Sequence, residues 1–116
     1  MIPAMNVTRQ YESIKEELDK AALEVLHSGQ YILGKTVEEF ERAFADYCGV
    51  KYAIGVGNGS DALVMALKAC DVKSEDEVIT TAMSFSATAE AITSVGAIPV
   101  FVDCTRDTYC INPFEV

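Results

Sequence analysis

The sequence holds no tryptophan, one histidine, three prolines, and nine lysines and arginines against eighteen aspartates and glutamates. Each shortage closes a class of function. A net charge of −9 with the nine basic residues scattered along the chain leaves no basic patch, so a nucleic-acid or anionic-membrane surface is excluded. The lone His27 cannot form a histidine metal set. It sits where the last turn of a helix is expected, a position that favours a cation. Cys48, Cys70, Cys104 and Cys110 include no CxxC pair and no zinc-like spacing with histidine. Three of them (Cys48, Cys70 and Cys104) fall inside apolar patterns, which predicts buried free thiols in a reducing cytoplasm. No apolar run approaches the ~18 residues of a membrane span. The opening MIPAMNVTRQYESIKEEL has neither the basic nor the apolar region of a signal peptide.

What remains is a chain of 116 residues, half of them hydrophobic. That length suits one small globular domain. From Tyr11 to Ser28, the residues Ile14, Leu18, Ala21, Ala22, Val25 and Leu26 recur at helical spacing, with Glu12, Lys15, Glu16, Asp19 and Lys20 opposite. Gly29 stands where such a helix ends. After the connector GQYILGK, a second amphipathic helix is expected behind Thr36 as N-cap, with Glu39 completing a capping box. Its predicted buried face is Val37, Phe40, Phe44, Tyr47 and Cys48, and Gly49 closes it.

Beyond Gly49 the period changes. KYAIGVG reads as a short buried strand, SDALVMALKAC as a helix, DEVITTA as a strand, SATAEAITSVG as a helix and AIPVFVD as a third strand. Apolar strands alternating with helices of about ten residues predict βαβ units around a parallel sheet with helical layers. The expected division is 1–49, a helical segment, and 50–116, a βαβαβ segment. Asn112 and Pro113 would fill the N-cap and first position of a further helix, which predicts a fragment of a longer domain.

The turn Gly57-Asn58-Gly59-Ser60-Asp61 lies between the first expected strand and its helix. Ligands of open α/β sheets bind beyond the carboxyl ends of strands. A helix N-terminus there offers unpaired N–H groups to an anion, small residues allow close approach, and Ser60 adds a hydroxyl. It is neither a Walker A loop nor a GxGxxG fingerprint. On these residues alone, a helix cap by Asn58 or Ser60, with Asp61 favouring the dipole, accounts for the turn equally well.

Two long stretches, SGQYILGKTVEEFERAFADYCGVKYAIGVGNGSDALVMAL and DEVITTAMSFSATAEAITSVGAIPVFVDCTRDTYCINP, resemble in order and content the N-terminal part of the DegT/DnrJ/StrS family of pyridoxal-phosphate-dependent sugar aminotransferases. The resemblance runs from Ile2-Pro3 over nearly the entire chain. It implies a partial fold type I aminotransferase large domain, α/β with a mainly parallel sheet flanked by helices and preceded by two N-terminal helices. It also implies the cofactor pyridoxal 5'-phosphate, a homodimer with shared active sites, a nucleotide-sugar substrate and an amino-acid donor, glutamate by family precedent. Cell-surface polysaccharide, lipopolysaccharide or antibiotic sugars are the products such relatives supply.

Carried onto this chain, the family's phosphate-binding turn falls on Gly59, Ser60 and Asp61. The aromatic over the cofactor ring falls on Phe85, which would otherwise read as a core phenylalanine before a helix. Gln30 and Tyr31 correspond to a region near substrate. Asn6 and Lys35 depart from the family's usual aspartate and proline. The family's Schiff-base lysine has no counterpart: Lys15, Lys20, Lys35, Lys51, Lys68 and Lys73 all lie in other contexts. No catalytic residue is therefore assigned, since transamination needs that lysine. The expectation is an N-terminal piece of an aminotransferase that cannot act unaided. The alternatives are a catalytically inactive binding or assembly module of the same ancestry, or a structural α/β domain whose turn is only a cap.

Overall fold

The structure, a computed structural model, describes residues 5–116; the Ile2-Pro3 start of the family resemblance lies outside them. The elements in order are α1 (Val7–Ser28), α2 (Lys35–Cys48), α3 (Gly59–Ala69), β1 (Glu77–Thr81), α4 (Ala87–Ser94) and β2 (Ile98–Val102). They fall into two compact units, Met1–Gly55 and Val56–Val116.

In the first unit α1 starts four residues earlier than its apolar period implies. Asn6 is the reason: its side chain accepts the Arg9 N–H at 3.3 Å and caps the helix. Gly29 closes α1 in the left-handed region (φ 68°) and donates to the Leu26 carbonyl. Ile14 leaves helical geometry (φ −126°, ψ 15°), and Tyr11 bridges the kink by donating to Asp19 Oδ1 at 2.9 Å. His27 occupies the last turn, as expected.

The expected Thr36–Glu39 capping box does not form. Helix α2 begins at Lys35 with Gly34 as its cap, so Thr36 already lies inside the helix, where its side chain cannot act as an N-cap. The Val37 and Glu38 N–H groups both donate to the Gly34 carbonyl. At the other end Gly49 (φ 66°) donates to Asp46 and Val50 to Ala45, the paired bonds of a Schellman ending. The predicted buried face is also corrected. Ala45 is the residue α2 buries, while Phe40, Phe44, Tyr47 and Cys48 are exposed. The rings cover one another instead, Phe40 on Phe44 with centroids 5.6 Å apart.

The stretch 51–56 is not a strand. A strand exists by pairing, and no neighbouring strand pairs with these residues among those described. Tyr52 and Ile54 accordingly stand 71% and 80% exposed.

In the second unit β1 and β2 pair in parallel, from Glu77 opposite Ile98 to Thr81 opposite Val102, with α4 as the crossover. The α/β class with a parallel pair flanked by helices and two helices preceding it agrees with the expectation. The core is small: Ala87, Ala91 and Ile92 of α4 together with Ala97 at the approach to β2. Helix α4 can settle closely because two of its three buried side chains are methyl groups. It ends at Gly96 (φ 83°), where Gly96 donates to Thr93 and Ala97 to Ile92. Gly96 admits no side chain, since a Cβ there would stand 3.0 Å from Ser74 Oγ and 3.2 Å from Ser74 Cα. Helix α3 ends in the same way without a glycine, Asp71 taking the left-handed position (φ 60°). Helices α3 and α4 pack together, and with β1 they enclose an apolar cleft of about 240 Å³ lined by Leu63, Leu67, Val78, Ile79 and Ile92 among others.

The buried-thiol expectation holds only in part. All four cysteines are free, but Cys48, Cys70 and Cys110 are exposed and Cys104 is half-buried. Cys48 and Cys70 stand at the ends of α2 and α3, and Cys104 and Cys110 in the segment after β2. Among the described residues no helix is long and apolar enough to cross a membrane, and no His, Cys, Asp or Glu cluster could hold a metal.

Candidate functional site

The turn before α3 is organised by Asn58. Its backbone is extended (φ −166°, ψ 177°) and its Oδ1 accepts the Asp61 N–H at 2.9 Å. Its Nδ2 donates to Asp61 Oδ2 at 3.0 Å, which ties down the carboxylate as well. The Asn58 carbonyl accepts the Ala62 N–H at 3.1 Å, the first bond of the helix. Of the two caps left open by the sequence, Asn58 is the one that forms.

Gly57 has a steric reason to be glycine. A Cβ at that position would lie 2.7 Å from Asp61 Oδ2. Gly59 is different: nothing comes within 4 Å of a Cβ built there, so its surroundings are open space. The cap occupies only one of the first-turn donors. The N–H groups of Gly59 and Ser60 have no acceptor among the described residues, and the Ser60 hydroxyl has no hydrogen-bond partner there. The turn therefore presents two backbone donors and one hydroxyl at the positive end of α3. Asp61 contributes its carboxylate to the cap, and its N–H is already engaged.

Phe85 stands 79% exposed in the loop that leaves the carboxyl end of β1, so it is no core residue of this unit. Its carbonyl accepts the Thr88 N–H at 3.0 Å, and Ser84 Oγ meets Thr88 Oγ1 at 2.8 Å, fastening the loop to the first turn of α4. Thr81 Oγ1 accepts the Met83 N–H at 3.2 Å. Helix α3 leads into β1 through the loop 70–76, and Phe85 lies beyond the carboxyl end of β1, the kind of position at which open α/β sheets bind ligands.

Gln30 and Tyr31 belong to the first unit. They line a surface hollow of about 540 Å³ with Gly29, Ile32, Leu33, Gly34, Lys35 and Glu38. Tyr31 is exposed, and its hydroxyl donates to the Leu26 carbonyl at 3.1 Å. Two further contacts were not expected from the sequence. The Ser84–Thr88 pair could have been seen as hydroxyls four residues apart at a helix start. Glu41, which accepts the Gly55 N–H at 2.6 Å, had no local signal because its partner lies fourteen residues away.

A family model, that of the DegT/DnrJ/EryC1/StrS aminotransferase family, matches residues 12–116. The chain belongs to this family. Over 115 residues it is 45% identical to the "Pleiotropic regulatory protein" of Geobacillus stearothermophilus, covering 99% of this chain and 31% of that protein. It is 43% identical to the dTDP-3-amino-3,6-dideoxy-alpha-D-galactopyranose transaminase of Aneurinibacillus thermoaerophilus, covering 100% of this chain and 32% of the relative. Among solved structures, that of ntda from Bacillus subtilis with bound cofactor PMP matches with a TM-score of 0.92 at 34% identity, over 99% of this chain and 27% of that one. The DegT/DnrJ/EryC1/StrS chain described here therefore spans about a third of the length of the curated relatives it matches. Its architecture is a partial fold type I aminotransferase fold, shared with the solved members of the family.

Proposed function

We propose that these 116 residues are the N-terminal part of a pyridoxal-phosphate-dependent aminotransferase that converts a keto-sugar nucleotide into an amino-sugar nucleotide, with glutamate as amino donor. The observation that carries the proposal is the pair of open N–H groups at Gly59 and Ser60 beside the free Ser60 hydroxyl. Donors of that kind at a helix N-terminus suit a phosphate, and the exposed ring of Phe85 beyond the carboxyl end of β1 suits a flat pyridine. When bound, the cofactor supplies the electron sink for amino transfer. The residues of this chain bind and orient it: Gly59 and Ser60 hold the phosphate, Asp61 fixes the cap that leaves those donors free, and Phe85 covers the ring. The lysine that tethers the cofactor comes from residues other than these. Gln30 and Tyr31 contribute to the substrate side, residues 1–49 form a helical segment, and residues 50–116 belong to the cofactor-binding domain of a homodimer in the cytoplasm.

A second reading, a binding or assembly module without transaminase activity, is favoured by the regulatory name of the Geobacillus relative. The two readings share the cofactor turn and differ in turnover.

Ser60→Ala tests the turn. Losing one hydrogen bond to a charged acceptor costs roughly 1.5–3 kcal/mol, about ten- to hundredfold in cofactor affinity. Unchanged affinity for pyridoxal phosphate, measured by titration on the protein that carries these residues, would show that the turn is only a cap. A binding-competent protein that turns over no keto-sugar nucleotide with any amino donor would favour the second reading.

A further inference from the structure

We propose that Asn58 is a site of self-modification, where the Gly59 backbone nitrogen attacks the Asn58 side-chain amide and expels ammonia. The chain has three asparagines, Asn6, Asn58 and Asn112. The attacking nitrogen belongs to the following residue, so that residue decides which asparagine reacts. Asn112 precedes Pro113, which has no N–H to lose. Asn6 precedes Val7, whose branched side chain crowds the nitrogen. Asn58 precedes Gly59, which has no side chain, and a Cβ built there meets nothing within 4 Å. The Gly59 N–H has no acceptor among the described residues, so no hydrogen bond has to break before it reacts. Asn58 itself is exposed to water.

The cap adds to the chemistry. The Asp61 N–H donates to Asn58 Oδ1 at 2.9 Å, so it polarises the amide carbonyl and faces the oxyanion that attack produces. The extended Asn58 backbone (ψ 177°) holds the Gly59 nitrogen off Cγ, and ring closure needs a rotation about ψ that the open surroundings of Gly59 permit. The Gly59 nitrogen gives its proton to hydroxide and bonds to Asn58 Cγ. The Cγ–Nδ2 bond breaks, and Nδ2 takes a proton from water and leaves as ammonia. Water then opens the five-membered imide at either carbonyl, giving aspartate or isoaspartate, with nothing oxidised or reduced. Both products undo the cap. Aspartate sets a carboxylate where Nδ2 now donates to Asp61 Oδ2 at 3.0 Å, and isoaspartate adds a methylene to the main chain just before Gly59. On the reading of Gly59 and Ser60 as phosphate donors, either change displaces those donors, and a bound phosphate protects the turn by occupying the Gly59 N–H.

The test incubates the folded protein that carries these residues at mildly alkaline and at mildly acidic pH. Peptide mass spectrometry then follows each asparagine, and isoaspartate is assayed separately. In alkali Asn58 should lose its amide at least about tenfold faster than Asn6 or Asn112 in the same sample, and the loss should slow in acid, where hydroxide is scarce. Gly59→Ala, which adds one methyl group in open space, should slow the loss by about tenfold or more while the fold is kept. The proposal is overturned if Asn58 stays intact in the folded protein while it reacts in urea, if Asn6 reacts as fast, or if Gly59→Ala reacts as fast as the parent. Excess pyridoxal phosphate should protect Asn58, and pyridoxal, which lacks the phosphate, should not. If Asn58 reacts equally with and without pyridoxal phosphate, the phosphate reading fails and the modification stands.

Discussion

In the unit that ends at Gly55, α2 carries Phe40, Phe44 and Tyr47 along one face, and they stand 61%, 48% and 87% exposed. In the unit that begins at Val56, α4 has only eight residues and no aromatic, yet Ala87, Ala91 and Ile92 are all buried. The larger and cleaner apolar stripe is thus the more exposed one. Burial needs an opposing surface at contact distance as well as an apolar stripe. Methyl-sized side chains let α4 approach β1 and β2 closely, and its tight connections to both strands hold it there. The rings of α2 have mainly each other.

The sharpest way to break this contrast is to cut one large side chain from each unit. Ile92→Ala should cost about 2–5 kcal/mol, the usual range for emptying a packed aliphatic site. Phe44→Ala removes more carbon, yet it should cost less than Ile92→Ala, because about half of that residue stays in water. Urea unfolding of both variants checks the ranking, and a larger loss at Phe44 would mean that its face is covered in solution.

Next in size is Gly96→Ala. It combines a left-handed backbone with a Cβ only 3.2 Å from the Ser74 backbone, which cannot swing aside. A loss of about 1–3 kcal/mol in the second unit is expected from the strain alone. Gly59→Ala, by contrast, meets nothing within 4 Å and lies outside the left-handed region, so it should fold normally. Thermal melts of the two variants distinguish a crowded glycine from an open one.

The smallest effect belongs to the first unit. The hydrogen bond from Tyr11 to the Asp19 carboxylate holds the phenol's pKa above its ordinary value, with partial desolvation and the carboxylate's charge adding to it. Because the folded pKa is raised, the contribution of this contact is present below the ordinary tyrosine range, about pH 10. It is lost as pH rises through the folded value, when phenolate and carboxylate would face each other. A titration followed at 295 nm should show Tyr11 ionising late, and Asp19→Ala should return it to the range of an exposed tyrosine. If Asp19→Ala leaves the titration unchanged, the clasp across the Ile14 kink does not persist in solution.

Much of this was legible in the residues. Gly29, Gly49 and Gly96 each end a helix because the left-handed position asks for a residue without Cβ, and the first two were visible as stops. The apolar runs that became β1 and β2, with a helical period between them, gave the parallel pair. The turn 57–61 was recognisable as a helix start, although which residue caps it was not, since Asn58 and Ser60 have equal chemistry for the task. The failures have a common cause in non-local structure. The strand expected at 51–56 requires a neighbour that pattern alone cannot supply. The Thr36 cap lost to a helix that starts one residue before it, because Gly34 turns the chain earlier. Stripe-based burial in α2 assumed a partner surface. Glu41 could not be foreseen at all, since its meaning depends on where Gly55 falls in space.

The parallel register of β1 and β2 has a kinetic consequence. Glu77 and Ile98 are paired although about twenty residues separate them, so the ladder cannot nucleate from a turn as a hairpin does. Helix α4, at eight residues, is too short to persist by itself in water. Each therefore depends on the other, and they form and open as one cooperative unit. Hydrogen exchange should report it: the amides of α4 and of the β1–β2 ladder should share a single protection level, whereas those of α1, which makes its own bonds along 22 residues, should exchange independently.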